Sequence, residues 1–447
     1  MFTRRGFIRV TTASVGSLAL GPFGLLPAMA QSASNYRALV CVFMFGGNDS
    51  NNSVIPMDDT NYKAYSSIRG SLALSASELT PTVYSTSNAP YAFHGKLPEL
   101  ASLFSSKELA VVANVGSLVQ PLTRAQYQAA QVPVPANLFS HSDQQAQWQT
   151  SIAQGNGATG WAGRVADYVG AQKMNASTFP VFFSVAGNAL LGTGANTQPV
   201  AVSPGGNLNL LGFNSSASSQ ARYDCLTSLL TTDSGLSLAQ AANNTLANSI
   251  NDATNLSNAL AKGTPLKTTF PKTTLGEQLQ QVAQIIQVAS YLGMNRQIFF
   301  CSAGGFDTHG GELETHNALY PQVSQAISAF YSATQELGVA ENVSTFTESD
   351  FNRTFQPTTT DGSDHAWGGH HMVIGGAVAG GQIYGAFPTF ELGGPNDTDT
   401  RGRWIPTTAI DQYGATLASW FGIPDSVLPT IFPNFPNFGS QKLTFLG

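Results

Sequence analysis

Arg37-Ala38-Leu39-Val40-Cys41-Val42-Phe43-Met44-Phe45 runs directly into Gly46-Gly47-Asn48-Asp49-Ser50-Asn51-Asn52. The first nine residues are an almost unbroken apolar run, without the alternation of a strand that faces water on one side. This predicts a strand buried on both faces, as in a parallel sheet covered by helices. The glycine pair lets the chain turn sharply and sets Asp49 at the carboxyl end of the strand, where open parallel sheets bind their ligands. Runs of the same kind recur at 109–116, 179–185, 297–302 and 342–347. Helical patterns lie at 97–104, 161–169, 275–292, 315–337 and 409–421, the last ending at Gly422. Strands alternating with helices predict an α/β fold with right-handed crossovers.

The chain has 447 residues, of which 42% are hydrophobic and 10% charged, against about 25% charged in ordinary soluble domains. Its 44 glycines and 23 prolines follow no collagen period. A coiled coil and a wholly disordered chain are thereby excluded. The 20 Lys+Arg against 26 Asp+Glu give a net charge of −6, which predicts no nucleic-acid partner. Of the 3 cysteines, Cys41 and Cys301 sit in apolar runs and read as small buried hydrophobes; with Cys225 they match no zinc-knuckle spacing. No internal repeat is present, so residues 31–447 read as a single domain. Within it, 195–272 is rich in Ser, Thr, Asn and Ala. That segment reads as a surface insertion or as a cap facing substrate, and both stay open.

Residues 1–30 read as a leader outside the fold. Thr3-Arg4-Arg5-Gly6-Phe7-Ile8 is a twin-arginine pattern, a weakly apolar stretch follows over 10–26, and Ala28-Met29-Ala30 is a small-residue cleavage site. Gly16, Gly21, Pro22 and Gly24 make that stretch too polar to hold a membrane. The expectation is a chain carried by the twin-arginine machinery to the periplasm or the medium. No stable membrane insertion of the mature chain is expected.

Polar constellations follow the buried runs. Gly304-Gly305-Phe306-Asp307-Thr308-His309 comes after the fourth and Glu348-Ser349-Asp350-Phe351-Asn352-Arg353-Thr354 after the fifth. Asp364-His365-Ala366-Trp367-Gly368-Gly369-His370-His371 lies downstream. Five of the 7 histidines (His309, His316, His365, His370 and His371) fall in this window, with Asp307, Asp350 and Asp364. Carboxylates and imidazoles at several strand ends suit one or two divalent metals, zinc, manganese or calcium/magnesium. The candidate ligands are Asp49, Asp307, His309, Asp350, Asp364, His365, His370 and His371. The competing reading is that Asp49, Asp307 and Asp364 are turn residues in glycine-rich loops.

These blocks, together with Ser140-His141, Gly160-Trp161, Gly380-Gly381-Gln382-Ile383-Tyr384-Gly385 and Arg401-Gly402-Arg403-Trp404-Ile405-Pro406, occur in an order that closely resembles domain-of-unknown-function family 1501. That family is an exported bacterial one within the alkaline phosphatase and sulfatase superfamily. The resemblance covers essentially the whole mature chain. It implies a three-layer α/β/α sandwich with a mostly parallel sheet and metals held by Asp and His from strand-end loops. It makes Asp49 the carboxylate after the first strand, Asp307 and His309 the paired ligands after a later one, Asp350 the next carboxylate, and His365 or His370 the closing histidine. Two departures stand out: the Asp307-Thr308-His309 spacing is short, and Phe351 stands where a histidine often follows the carboxylate, so that one metal is missing, differently ligated, or supplied by His371 or His316.

The superfamily also implies a hydroxyl or modified cysteine nucleophile at a helix start. Ser140, in Phe139-Ser140-His141-Ser142-Asp143, is the candidate, and an N-cap is its other reading. No Cys-x-Pro-x-Arg sequence supports a formylglycine. Arg353 either binds an ester oxyanion or ties down its own loop. His94 reads as structural and Trp367 as packing. The activity implied is a metal-dependent hydrolase of small or polymer-linked phosphate or sulfate esters, with Ser140 or metal-activated water attacking. The alternative is a non-catalytic protein of the same fold that binds metal or an envelope polymer.

Overall fold

The computed structural model describes residues 35–447, apart from 207, 209, 211, 233 and 234; the leader assigned to residues 1–30 lies outside them. The opening run forms β1 (Arg37–Met44). Next come β2 (Val54–Pro56), β3 (Val83–Tyr84), β4 (Pro90–Phe93), β5 (Leu109–Gly116), β6 (Phe182–Ser184) and β7 (Val200–Ala201). The last strands are β8 (Arg296–Ala303), β9 (Val343–Ser349), β10 (Gly369–Ile374), β11 (Gln382–Gly385) and β12 (Thr408–Ala409). The main sheet has the order β11-β5-β10-β9-β1-β8-β6-β7, with β12 pairing on β5; β2, β4 and β3 make a small second sheet. In the main sheet β10 runs antiparallel to both neighbours, while every other described pairing is parallel.

The helices are α1 (Asp59–Arg69), α2 (Pro98–Ser105), α3 (Arg124–Gln128), α4 (His141–Thr150), α5 (Trp161–Ala171) and α6 (Ala217–Leu230). They continue with α7 (Ser237–Leu260), α8 (Thr274–Gln287), α9 (Glu312–Glu336), α10 (Ile410–Phe421) and α11 (Leu428–Ile431). The period-2 geometry of β1 shows how they are layered. Val40 and Val42 join one core with Leu100, Leu279, Val282, Val323 and Ile327 of α2, α8 and α9. Leu39, Cys41 and Phe43 join another with Trp161, Val165, Leu417 and Phe421 of α5 and α10. Both faces of the sheet are therefore covered, which is the expected three-layer α/β/α arrangement. Each such side chain contributes about 1.5–3 kcal/mol by leaving water.

Two expectations change. The third strand narrows to Phe182–Ser184, because Pro180 has no N–H to give a ladder. The segment read as a loop of ligands around His370 and His371 is instead strand β10, buried along its length. The segment 195–272 contributes β7, α6 and α7, and α7 borders a cavity of about 1050 Å³ against α5 and the residues before β6, lined by none of the candidate ligands. The described cysteines are all free, Cys41 and Cys301 buried and Cys225 exposed. Among the described residues no helix is long and apolar enough to cross a membrane.

Candidate metal centre

Strands β8 and β9 flank β1 in parallel, with Met44 opposite Ala303 on one side and Ser349 on the other. Their carboxyl ends therefore deliver three loops to one place. Gly46 is where these loops touch. Its φ is +115°, its N–H donates to Asp350 Oδ1 at 3.1 Å, and a β-carbon there would strike the backbone of Phe306 and Asp307. Glycine is needed for both reasons.

Around this crossing stand three imidazoles, each with its Nδ1 already engaged. His365 Nδ1 lies 2.7 Å from the carbonyl oxygen of Phe139. A carbonyl only accepts, so Nδ1 carries the proton and the lone pair is on Nε2. His141 Nδ1 lies 2.7 Å from Asp350 Oδ2, which also accepts from Gln145 Nε2 at 2.7 Å. His309 Nδ1 lies 3.3 Å from Asp364 Oδ1, and Arg401 Nη2 donates to the other oxygen of Asp364 at 3.0 Å. Histidines that bind metals are held in this way, the second nitrogen donating to a carboxylate or carbonyl.

The three Nε2 atoms turn toward Asp307. His309 Nε2 is 3.1 Å and His365 Nε2 3.5 Å from Oδ1, and His141 Nε2 is 3.5 Å from Oδ2. His309 Nε2 and His365 Nε2 face each other at 3.0 Å. His141 Nε2 is buried without a hydrogen-bond partner. Ring nitrogens facing one another and a carboxylate at such distances share a proton or a cation between them. The ligand atoms of His141, Asp307 and His365 lie within 4.8 Å of one another, and the nitrogen-plus-carboxylate donor set fits zinc or manganese. Burial holds His365 below the ordinary imidazole value, helped by the neighbouring His141, Arg353 and His309 charges and opposed by the Phe139 bond. That favours the neutral, ligating form. Burial alone would raise Asp307, but the Arg353 hydrogen bond and charge, with His141 and His309, hold it below the usual carboxylate range. The group is open to solvent: Asp307 is 48% and His309 49% exposed.

Phe351 walls the site, its ring 4.8 Å from that of His141 and 4.7 Å from that of His365. Phe351 thus packs against two of the imidazoles. Arg353 is buried and spent within the protein. Nη2 donates to Asp307 Oδ1 at 2.5 Å and to Phe306 O at 3.3 Å, while Nη1 donates to Ser363 O at 3.3 Å. Its geometry is that of an anchor for Asp307. Ser140 is the N-cap of α4, and its Oγ donates to Asp143 Oδ2 at 2.6 Å.

Of the sequence candidates, the structure brings Asp307, His309 and His365 together and sets Asp350 and Asp364 behind the histidines. It places Asp49, His370 and His371 elsewhere. Asp49 is fully buried and ion-paired to Arg69. His370 Nδ1 accepts from Asn114 N at 3.0 Å, and its ring packs 4.3 Å from Phe387. His371 packs 4.5 Å from Trp148. Burial pushes both down to about 3, so they stay neutral within the sheet. His94 is buried edge-on to Tyr320, and Trp367 donates to Ser117 O at 2.9 Å. His141 was not among the sequence candidates for the metal group. The only sequence signal for it was its place beside Ser140 at a helix start.

A family model described as "Protein of unknown function (DUF1501)" matches residues 36–399. A search of curated proteins gives no match. Among solved structures, the chain is similar to Ps i-CgsB in complex with k-i-k-neocarrahexaose, at 9% identity and a TM-score of 0.34, over 90% of this chain and 77% of that one. It is also similar to the lipoteichoic acid synthase LtaP from Listeria monocytogenes, at 7% identity and TM-score 0.31, over 84% and 76%. A third is the phosphonate monoester hydrolase of Agrobacterium radiobacter, at 9% identity and TM-score 0.31, over 89% and 77%.

Proposed function

The chain belongs to the DUF1501 family, and from that premise we propose that it is an exported, metal-dependent hydrolase of phosphate or sulfate esters. One observation carries the reading: the Nε2 atoms of His141 and His365 and the Asp307 carboxylate converge, His309 Nε2 lies 3.1 Å from Asp307 Oδ1, and each Nδ1 is engaged by a fixed partner. His141, Asp307, His309 and His365 would hold a divalent ion, zinc or manganese by donor type. Such an ion supplies Lewis-acid stabilisation of an ester's developing charge and activation of water.

The chain's own residues set the conditions. Phe139 O, Asp350 and Asp364 keep the Nδ1 protons in place and point the Nε2 lone pairs inward. Arg353 keeps Asp307 ionised and fixed. Arg401, one-third exposed and bonded to Asp364, is a cation placed to meet an anionic ester from the solvent side. Ser140 stands between Phe139 and His141 and is the hydroxyl candidate for attack. To attack, it must first release Asp143.

Purified chain loaded with zinc or manganese should retain metal through dialysis and hydrolyse an aryl phosphate or an aryl sulfate. His365→Ala and Asp307→Ala should lose both properties, and Ser140→Ala decides between the hydroxyl and water as attacker. A chain that holds no metal after loading overturns the reading.

A second reading is a non-catalytic metal protein that binds an envelope or extracellular polymer. It is favoured by the engagement of Ser140 Oγ with Asp143 and of Arg353 with Asp307, which leaves neither free for substrate. It predicts retained metal with no turnover on either ester.

A further inference from the structure

Asp49, Glu312 and His316 form a second group whose ligand atoms lie within 4.8 Å of one another, all three buried. By donor type it too could take a divalent ion, and both ring nitrogens of His316 are buried without a hydrogen-bond partner. The carboxylates, however, are already used. Arg69, the last residue of α1 and fully buried, donates Nη2 to Asp49 Oδ2 and, at 3.2 Å, to Glu312 Oε1. Asp49 Oδ1 accepts from Asn51 Nδ2 at 2.7 Å. Glu312 Oε2 accepts from Thr308 Oγ1 at 2.9 Å and from Ser363 Oγ. Each of the four carboxylate oxygens has a donor. A metal placed here would have to displace some of them and would put two positive charges beside a guanidinium in a dry interior, where like charges repel strongly.

We infer that the Arg69 guanidinium is the resident cation of this second group, and that the chain holds one metal ion, at His141, Asp307, His309 and His365. The inference rests on the metal centre proposed above and sets its stoichiometry. It also gives Arg69 a positioning role. Besides the two carboxylates, Nη1 donates to Thr354 O at 3.1 Å and Phe355 O at 3.3 Å. One side chain therefore ties the loop after β1, the start of α9 just beyond His309, and the segment after Arg353.

The test is metal content by elemental analysis after zinc loading and dialysis. Wild type should hold one zinc per chain. Arg69→Met frees Asp49, Glu312 and His316, and should hold two; adding His316→Ala should return it to one. Arg69→Lys keeps a cation in place and should hold one, which keeps the test informative if the methionine variant does not fold. Two zinc ions in wild type overturn the inference and leave the hydrolase reading standing, as does a folded Arg69→Met chain that still holds one. No zinc in wild type overturns the reading on which the inference rests.

Discussion

Phe139 has a φ of +71°, a conformation that costs a residue with a bulky side chain about 1–3 kcal/mol. Two contacts of its own, and one that fixes Arg403, maintain it. Its N–H donates to Gln144 Oε1 at 2.6 Å, Arg403 stacks 4.9 Å over its ring, and Arg403 Nε donates to the carbonyl of His365 at 2.9 Å. The consequence is a carbonyl aimed at His365 Nδ1. The strain is therefore tied to one ligand's tautomer. Asp350 does the same for His141, and its replacement gives a clean test. Asp350→Asn keeps size and an acceptor oxygen but removes the carboxylate charge that faces His141 Nδ1. Outer partners of this kind change metal affinity about 10–100-fold, and that loss is expected in a chelator-competition titration, with the zinc-free chain folded as before. His371→Phe should leave the affinity unchanged, since its ring packs on Trp148 within the sheet; a loss there would contradict its placement. These roles were only partly readable from the sequence. Asp307, His309 and His365 stood out because charged residues are scarce and these cluster after apolar runs. His141 did not, because a single histidine at a polar helix start looks like any capping segment.

Strands announced themselves where both faces are covered, since only continuous apolar runs such as 37–45 can fill both layers. The longest exception was β10, Gly369–Ile374, whose first half is Gly-His-His. Its histidines are tolerated in the core because β10 pairs antiparallel with β5 and β9 and their rings lie against Phe387 and Trp148. Nothing local to the sequence signals that pairing. Strand β9 carries its own test. Glu348 is buried in it, and burial pushes its carboxyl up to about 8, against a hydrogen bond from the Cys41 thiol that lowers it. The folded chain therefore keeps a proton on Glu348 that the unfolded chain gives up near its ordinary value. This contribution to stability is complete below about pH 4.5 and is lost as pH rises through about 8. At about 1.4 kcal/mol per pH unit of separation, the loss amounts to a few kcal/mol. Glu348→Gln fixes the neutral form and should flatten the fall in urea midpoint between pH 5 and pH 8. A wild-type midpoint that stays level over that range would show that Glu348 is ionised in the fold.

The proposed ion would bind only the folded chain, because its ligands come from three separate segments: the start of α4, the Asp307 and His309 loop after β8, and His365 beyond β9, with Asp350 and Asp364 behind them. Two of those segments meet because β8 and β9 flank β1 in parallel; the third, α4, is brought to them through the His141–Asp350 contact. Unfolding separates them all. Ion binding must then appear as global stability by mass action, worth about 2.7 kcal/mol at a hundredfold excess over the dissociation constant. A chain of this length has an unfolding entropy near 0.9 kcal/mol per kelvin on per-residue averages, about 2.1 cal/mol/K each. The expected rise in Tm is thus only about 3 °C. Its dependence on concentration is more diagnostic than its size. Tm should climb steadily with the logarithm of free zinc above the dissociation constant and fall back on adding chelator. Asp307→Ala should show no climb over the same range. Arg69→Lys should follow the wild-type curve, because the guanidinium site is filled from within and gains nothing from added metal. A wild-type Tm indifferent to zinc from nanomolar to millimolar would mean that the converging imidazoles stabilise the fold without a cation, and the proposed activity would fall with them.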